Sequence, residues 1–157
     1  MKYYKVSQYD GSENKIVYVP NIDKSELDNA NGIVRQIDDP KIKEYLNFYE
    51  KPYPIISDKL KNILRQYLPH SIGIPLSLAN PSLKLVVIYW LLSLELVENQ
   101  GYESNRRLIV NCNDIGNRKM FKTRTGRRDH VIVDFDIAEL ILRSSVSDIQ
   151  INEISVI

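Results

Sequence analysis

Apolar residues between positions 57 and 68 recur at the spacing of one helix face. The residues that follow the i, i+3, i+4, i+7, i+8 pattern are Leu60, Ile63, Leu64, Tyr67 and Leu68. Ser57 stands where its side chain can accept a hydrogen bond from an early helical N–H, and Asp58 stands where the helix dipole favours negative charge. Pro69 cannot continue the helix. The pattern therefore predicts an amphipathic helix over residues 57–68.

Strand patterns flank this helix on both sides. Alternation over residues 3–8, the turn signal Asp10-Gly11 and the apolar residues 16–19 predict an N-terminal β-hairpin. The run at residues 85–92 is short and rich in β-branched and aromatic residues, which favours a central strand over a buried helix.

The C-terminal third predicts further strands and a second hairpin. Residues 108–110 form a short apolar run, and residues 120–122 and 130–135 flank Thr125-Gly126, which predicts a hairpin. The apolar positions of residues 149–156 change phase near Asn152, which suits one terminal strand with a bulge.

Two more helices and two loops complete the prediction. Residues 40–50 carry four apolar positions at helical spacing, namely Ile42, Tyr45, Leu46 and Tyr49. Asp136 and Glu139 have the form of a capping box, which opens a helix that buries Ile137, Leu140 and Ile141. The polar residues 21–39 are predicted to be loop with at most a short helix, and residues 98–107 to be a surface loop.

The order of these elements predicts an α+β fold. Strands and helices alternate without βαβ regularity, so we expect an antiparallel or mixed sheet with a few packed amphipathic helices. A chain of 157 residues is about one domain, and its 43% hydrophobic residues can bury a core without disulfides. We therefore expect a single domain over residues 1–157.

Composition predicts a cytoplasmic protein. Cys112 is the only cysteine, which favours a reducing compartment. Residues 1–5 lead into polar residues and not into the apolar core of a secretion signal. The longest apolar run is far shorter than the roughly 20 residues of a membrane-spanning helix, so no membrane partner is expected.

Few residues suit catalysis. Cys112 and His130 would form a nucleophile–base dyad if they met in space, but Cys112 directly follows a strand-like run and is predicted to be a half-buried, inert thiol. Asp134 and Asp136 would suit acid–base chemistry, although helix capping explains Asp136. No His or Cys pair has metal-ligand spacing and no glycine-rich phosphate loop is present. We therefore expect no enzyme activity, no metal and no cofactor.

Basic residues are concentrated between positions 105 and 128. This stretch has eight basic residues and one acid, Asp114, whereas residues 10–50 have net charge −4. The candidate partner-binding residues are those around the predicted hairpin tip: Arg118, Lys119, Lys122, Arg124, Arg127 and Arg128. They would contact phosphates or an acidic protein surface, or else pair with the acidic half of the chain or stay solvated. Phe121 is the one aromatic residue in the run, so no stacking platform for single strands is expected.

Several segments occur in the order expected of one family. They are Pro54-Ile55-Ile56-Ser57-Asp58-Lys59-Leu60, Tyr89-Trp90-Leu91, Met120-Phe121-Lys122, Asp136-Ile137-Ala138-Glu139-Leu140-Ile141-Leu142-Arg143 and Ile149-Gln150-Ile151-Asn152-Glu153-Ile154. Together they resemble the immunity proteins of bacterial polymorphic toxin systems, in particular the eleventh numbered family. The resemblance covers residues 54–157, and residues 1–50 look like the variable lead-in of such proteins.

This resemblance implies a non-enzymatic cytoplasmic protein that binds and neutralises a cognate toxin domain. Glu95, Glu98 and Ser104 depart from the family's acidic stretch, so no partner-contact residue is carried over. The alternative is a nucleic-acid-binding or regulatory module that uses the basic residues 106–128, although the net charge of +1 makes nucleic acid the less expected partner. A monomer or weak dimer is expected.

Overall fold

The computed structural model describes residues 1–9, 22–28, 31–37, 45–51 and 53–157. The strands within them are β1 (Tyr3–Gln8), β2 (Ile33–Gln36), β3 (Phe48–Tyr49), β4 (Ile55–Ser57), β5 (Ile72–Asn80), β6 (Leu85–Leu92), β7 (Asn99–Tyr102), β8 (Leu108–Val110), β9 (Met120–Thr125), β10 (Arg128–Asp134), β11 (Ile149–Glu153) and β12 (Ser155–Val156). The α-helices are α1 (Asp58–Leu64), α2 (Cys112–Ile115) and α3 (Phe135–Arg143), and short 3-10 turns lie at Lys24–Asp28, Pro69–Ser71 and Pro81–Leu83. The fold is α+β, as the mixed order of elements predicts.

Contacts divide the chain into two compact units. The discontinuous unit combines Met1–Tyr9 with Leu94–Ile157, and the continuous unit is Asp10–Ser93. The division expected from the resemblance, between residues 1–50 and 54–157, lies inside the continuous unit. No helix in the described parts of the chain is long and apolar enough to cross a membrane.

The main sheet of the discontinuous unit has β1 in its interior. Its strand order is β11-β1-β10-β9, and every neighbouring pair is antiparallel. Because β10 and β11 occupy both edges of β1, the predicted pairing of β1 in an N-terminal hairpin is wrong. The proposed second arm, residues 16–19, lies outside the described residues.

The predicted β9–β10 hairpin is confirmed. Arg128 lies opposite Thr125, which leaves Gly126 and Arg127 as a two-residue loop. Gly126 has a φ of +61° at the first loop position, where type II′ turns place glycine.

The two faces of this sheet bury different elements. Register places Phe121 and Ile132 on one face with Tyr3, and these residues form one core cluster with apolar residues of the β12-β8-β7 sheet and with Ile115 of α2. The Phe121 ring lies edge-on to the Tyr3 ring at 5.7 Å between centroids. Helix α3 contacts β1 and β10 and buries Ile137, Ala138 and Ile141, so the predicted apolar face of this helix is confirmed in large part.

Asp134, and not Asp136, caps α3. Asp134 Oδ1 accepts a hydrogen bond from the backbone N–H of Ile137 at 2.9 Å, and burial raises the pKa of the Asp134 carboxyl. Asp136 is exposed, and one of its oxygens lies 3.5 Å from Lys119 Nζ. The prediction that Asp136 is the cap is therefore wrong, because the helix begins one residue after the last residue of β10.

We expect Asp134→Ala to lower the free energy of unfolding by about 1 kcal/mol, since it leaves an N-terminal helical N–H without its acceptor. Asp136→Ala is the matched control and removes only an exposed ion pair, so its effect should stay below about 0.5 kcal/mol. Urea denaturation followed by circular dichroism measures both. A larger loss for Asp136→Ala would contradict the assigned cap.

The C-terminal segment changes sheets instead of bulging. β11 pairs antiparallel with β1, whereas β12 pairs parallel with β8 in the other sheet. The change occurs at Ile154, which is buried in the same core cluster as Phe121. The predicted single terminal strand is therefore two short strands, and the phase change near Asn152 marks the crossing between sheets.

The continuous unit is built on a five-stranded sheet. Its strand order is β2-β5-β6-β4-β3, so the prediction that residues 85–92 form a central strand is confirmed. Leu76, Tyr89 and Leu91 point to the face that carries a core cluster of this unit. Tyr89 also donates a hydrogen bond from its hydroxyl to the backbone carbonyl of Leu46 at 2.7 Å.

The predicted helix after Ser57 is confirmed but shorter. Ser57 Oγ accepts a hydrogen bond from Leu60 N at 3.3 Å, as a helix cap does. Beyond Leu64 the chain continues as a turn, in which Tyr67 N and Leu68 N both donate to the Leu64 carbonyl. The helix cannot continue because Pro69 has no N–H to donate to the carbonyl of Arg65. Leu60 and Leu64 are buried, whereas Tyr67 is exposed.

Part of the sheet face beside α1 stays exposed. Register places Val34, Ser77 and Ile88 in one row across β2, β5 and β6. Val34 is 73% exposed and Val86, further along the same face of β6, is 65% exposed. The apolar run of β6 is thus central in its sheet but open over its first half.

Three short strands lie where the sequence predicted other structure. Phe48–Tyr49, within the predicted helix 40–50, is β3 and pairs with β4; residues 40–44 lie outside the described residues. β2 lies within the predicted loop 21–39, and β7 within the predicted surface loop 98–107. Each is too short for periodicity to identify, since sheet pairing and not local pattern forms it.

Candidate partner-binding site

The predicted basic residues do not gather at the hairpin tip. Arg118 and Lys119 precede β9, at the end of the hairpin opposite its turn. Lys122 lies in the middle of β9. Only Arg124, Arg127 and Arg128 lie at or beside the turn.

Asp129 pairs with both basic side chains of β9, Lys122 and Arg124. Arg124 Nε donates to Asp129 Oδ1 at 2.6 Å, and Lys122 Nζ lies 3.3 Å from Asp129 Oδ2. Burial of Asp129, whose side chain is 11% exposed, would raise its pKa, but the hydrogen bond from Arg124 and the charge of Lys122 outweigh burial. The pKa of Asp129 therefore lies below its usual value.

Arg118 and Lys119 also have acidic partners within the discontinuous unit. The Arg118 guanidinium pairs with Glu95 and donates to the backbone carbonyls of Asp114 at 3.1 Å and Ile115 at 3.0 Å. Lys119 pairs with Asp136. Among the described residues, the ion-pair partners of these four basic residues are Glu95, Asp129 and Asp136.

A pH-dependent stability follows from Asp129. Because its pKa is lower folded than unfolded, the stabilisation is present above the ordinary value of 3.8 and is lost as the pH falls below it. We expect Asp129→Asn to cost about 1 kcal/mol at pH 7 and progressively less below pH 3.8. Urea denaturation at pH 7 and pH 3 measures the difference, and a cost that does not change with pH would contradict the ion-pair assignment.

A separate cleft in the discontinuous unit gathers basic side chains. Its volume is about 320 Å³. It is lined by Lys5, Tyr102, Asn105, Arg106, Arg107, Leu108, Asn152, Glu153 and Ile154. Lys5 of β1 and Asn152 of β11 lie directly opposite each other in the main sheet, and the loop between β7 and β8 supplies the two arginines. We call this the basic cleft.

Backbone hydrogen bonds hold the loop between β7 and β8, which we call the arginine loop, in a tight turn. Glu103 N donates to the Arg107 carbonyl at 2.8 Å, and Arg106 N donates to the Glu103 carbonyl at 2.9 Å. Asn105 Oδ1 accepts from Arg107 N at 3.0 Å. Arg106 has a φ of +65°, a conformation that costs a non-glycine residue about 1–2 kcal/mol. The loop therefore keeps an arginine where glycine would fit with less strain.

The cations of the basic cleft are not neutralised. Within the described residues, Lys5, Arg106 and Arg107 have no acidic side chain within ion-pair distance. Glu153 is the one acid among the lining residues, and it pairs with Lys2 outside the lining at 3.5 Å. The cleft is therefore an anion-attracting concavity, whereas much of the charge on β9 is balanced locally.

Sequence reasoning found part of this site. Arg106 and Arg107 belong to the basic run, but the candidate residues were placed around the hairpin. Lys5 and Asn152 lie outside the basic run, because only the pairing of β1 with β11 brings them together. The adjacent arginines in a polar segment were the available signal.

The candidate catalytic residues Cys112 and His130 differ in burial. Cys112 is exposed at the start of α2, so the prediction of a half-buried thiol is wrong. His130 is buried in β10, with Nε2 2.6 Å from Thr125 Oγ1. Among the described residues, no group of three or more His, Cys, Asp or Glu side chains is placed to hold a metal ion.

Comparisons with known proteins identified no relative of this chain. A scan against protein-family models and searches of curated proteins and of solved structures found no match to this chain.

Proposed function

We propose that the protein is a non-enzymatic inhibitor that binds and neutralises a cognate bacterial toxin domain in the cytoplasm. The resemblance of residues 54–157 to immunity proteins of polymorphic toxin systems supports this proposal.

The proposal rests on which basic side chains are paired with acids and which are not. A protein that tracks a phosphate backbone needs a row of available basic side chains, and affinity grows with the number of phosphates contacted. Here Arg118, Lys119, Lys122 and Arg124 are paired with acids. The unpaired cations of the basic cleft form a compact cluster instead, which suits steering and registration of an acidic protein surface.

The proposed function predicts that a toxin domain is encoded beside this gene, and co-expression with that domain tests it. We expect growth to be restored and the two proteins to co-purify. Cys112→Ser, a change at an exposed side chain, should rescue as well as the wild type because no covalent step is involved. The absence of both rescue and complex would refute the proposed function, and loss of rescue in a folded Cys112→Ser variant would refute its non-enzymatic nature.

Nucleic acid is the competing partner, since Arg127 and the basic cleft remain exposed. Binding to random duplex DNA that weakens steeply with salt would favour it. We expect no such binding by the wild type at physiological ionic strength.

A further inference from the structure

The basic cleft offers donors suited to carboxylates. Arg106 and Arg107 have planar guanidinium groups that pair with carboxylates through two parallel hydrogen bonds, and Lys5 adds a third cation. Asn152 adds side-chain amide donors at the wall formed by β11. The three cations have no acidic partner among the described side chains. An anionic group entering the cleft therefore displaces no existing ion pair of these residues.

The lining favours a protein segment over a nucleic acid strand. Tyr102 is the one aromatic residue among the nine lining residues, so successive bases would have no stacking platform.

β11, the strand beside the cleft, has backbone N–H and C=O groups that point away from its neighbour β1. Ile154 N donates to the Tyr3 carbonyl and Tyr9 N donates to the Asp148 carbonyl, both at 3.0 Å. Because hydrogen-bonded pairs alternate along an antiparallel ladder, the N–H and C=O groups of Ile151 and Glu153 point away from β1. Within the described part of the chain, β11 pairs with β1 alone. An extended segment can add to such an edge through main-chain hydrogen bonds.

We propose that the basic cleft is the recognition site for an extended, acidic segment of the toxin domain, whose carboxylates pair with Lys5, Arg106 and Arg107 while its backbone lies along β11. This proposal rests on the proposed function. It identifies the toxin surface by its chemistry, as a stretch rich in Asp or Glu. The left-handed conformation of Arg106 is consistent with it, since strain kept at one residue is common at binding sites.

A pair of matched glycine substitutions tests the role of the cleft. Arg106→Gly removes a cleft cation and relieves its positive φ. Lys84→Gly removes another exposed cation and relieves a φ of +50°, but Lys84 does not line the cleft. Calorimetric titration with the toxin domain should show binding weaker by about tenfold for Arg106→Gly and unchanged for Lys84→Gly, since a charge-assisted hydrogen bond is lost only in the first. Lys5→Gln should weaken binding in the same direction.

Two probes identify the chemistry of the ligand. An oligo-aspartate peptide should compete with the toxin domain for the wild type, and random duplex DNA should not. Unchanged toxin binding in both Arg106→Gly and Lys5→Gln would overturn the cleft proposal and leave the inhibitor function standing. Competition by DNA that Arg106→Gly abolishes would overturn it in favour of nucleic acid.

Failure of the wild type to bind the toxin domain would refute the proposed function instead. Direct titration with the oligo-aspartate peptide then tests the cleft proposal independently of the toxin domain. Binding of oligo-aspartate that Arg106→Gly weakens and Lys84→Gly leaves intact supports an acid-binding cleft, and no binding to the peptide overturns it.

Discussion

Phe121→Ala is expected to lower the free energy of unfolding by about 3–5 kcal/mol. The Phe121 side chain has no exposed surface, and its ring packs edge-on against Tyr3. It also belongs to the cluster that joins the main sheet to Val110 of β8. Truncation removes apolar contacts on all sides and leaves a cavity that a close-packed core cannot fully close. Chemical denaturation followed by circular dichroism measures the loss.

Phe135→Ala is the matched control for this substitution. It removes the same atoms from the same unit, but Phe135 is 53% exposed at the start of α3, where it contacts the Tyr4 ring. We expect a loss below about 1 kcal/mol. Similar losses for the two variants would show that Phe121 is not packed as described.

Gly32→Ala is expected to destabilise the protein by about 2–4 kcal/mol, because two separate costs add. Gly32 has a φ of +92°, which a residue with a Cβ adopts only with strain. An added Cβ would also lie 2.8 Å from the Pro75 carbonyl oxygen, a backbone atom that can move only with β5. The same denaturation experiment measures this loss.

Gly101→Ala separates the two costs. Gly101 has nearly the same φ, +94°, but a Cβ added there would meet no atom within 4 Å beyond its own chain neighbours. Only the backbone strain of about 1–2 kcal/mol should remain. If Gly32→Ala costs no more than Gly101→Ala, the close approach of Gly32 to Pro75 is not maintained in solution.

Local signals in the sequence predicted local structure well. The position of Ser57 predicts the cap of α1, because the hydrogen bond it makes spans only three residues. The composition of residues 85–92 predicts β6 as a central strand, since β-branched and aromatic side chains fit a pleated surface. Gly126 predicts the hairpin turn, because the positive φ of the first turn position is a local requirement that glycine meets without strain.

Non-local pairing was beyond the reach of these signals. The alternating residues of β1 predict a strand but not its partners, which lie in β10 and β11 near the other end of the chain. The choice between Asp134 and Asp136 as helix cap depends on where β10 ends, and sheet register sets that end. Either carboxylate fits the local pattern.

The available charges of the candidate site also depend on residues that are distant in sequence. The sequence revealed a strongly basic stretch over residues 105–128, but the acids that pair with four of its basic residues lie outside it, at Glu95, Asp129 and Asp136. The basic cleft needs Lys5 as well, which precedes the arginine loop by most of the chain. Charge counts within a window therefore predict the sign of a surface but not which of its residues remain available.

The interior position of β1 sets the order in which the chain can fold on the ribosome. β1 leaves the exit tunnel before the two strands it pairs with, and neither of its native pairings can form until β10 and β11 have been translated. All of the continuous unit, Asp10–Ser93, is translated in that interval. Since Lys5, Arg106 and Asn152 come from three distant stretches, the cleft is completed only once β11 has been translated, and a nascent chain stalled before β11 carries its arginines without a cleft.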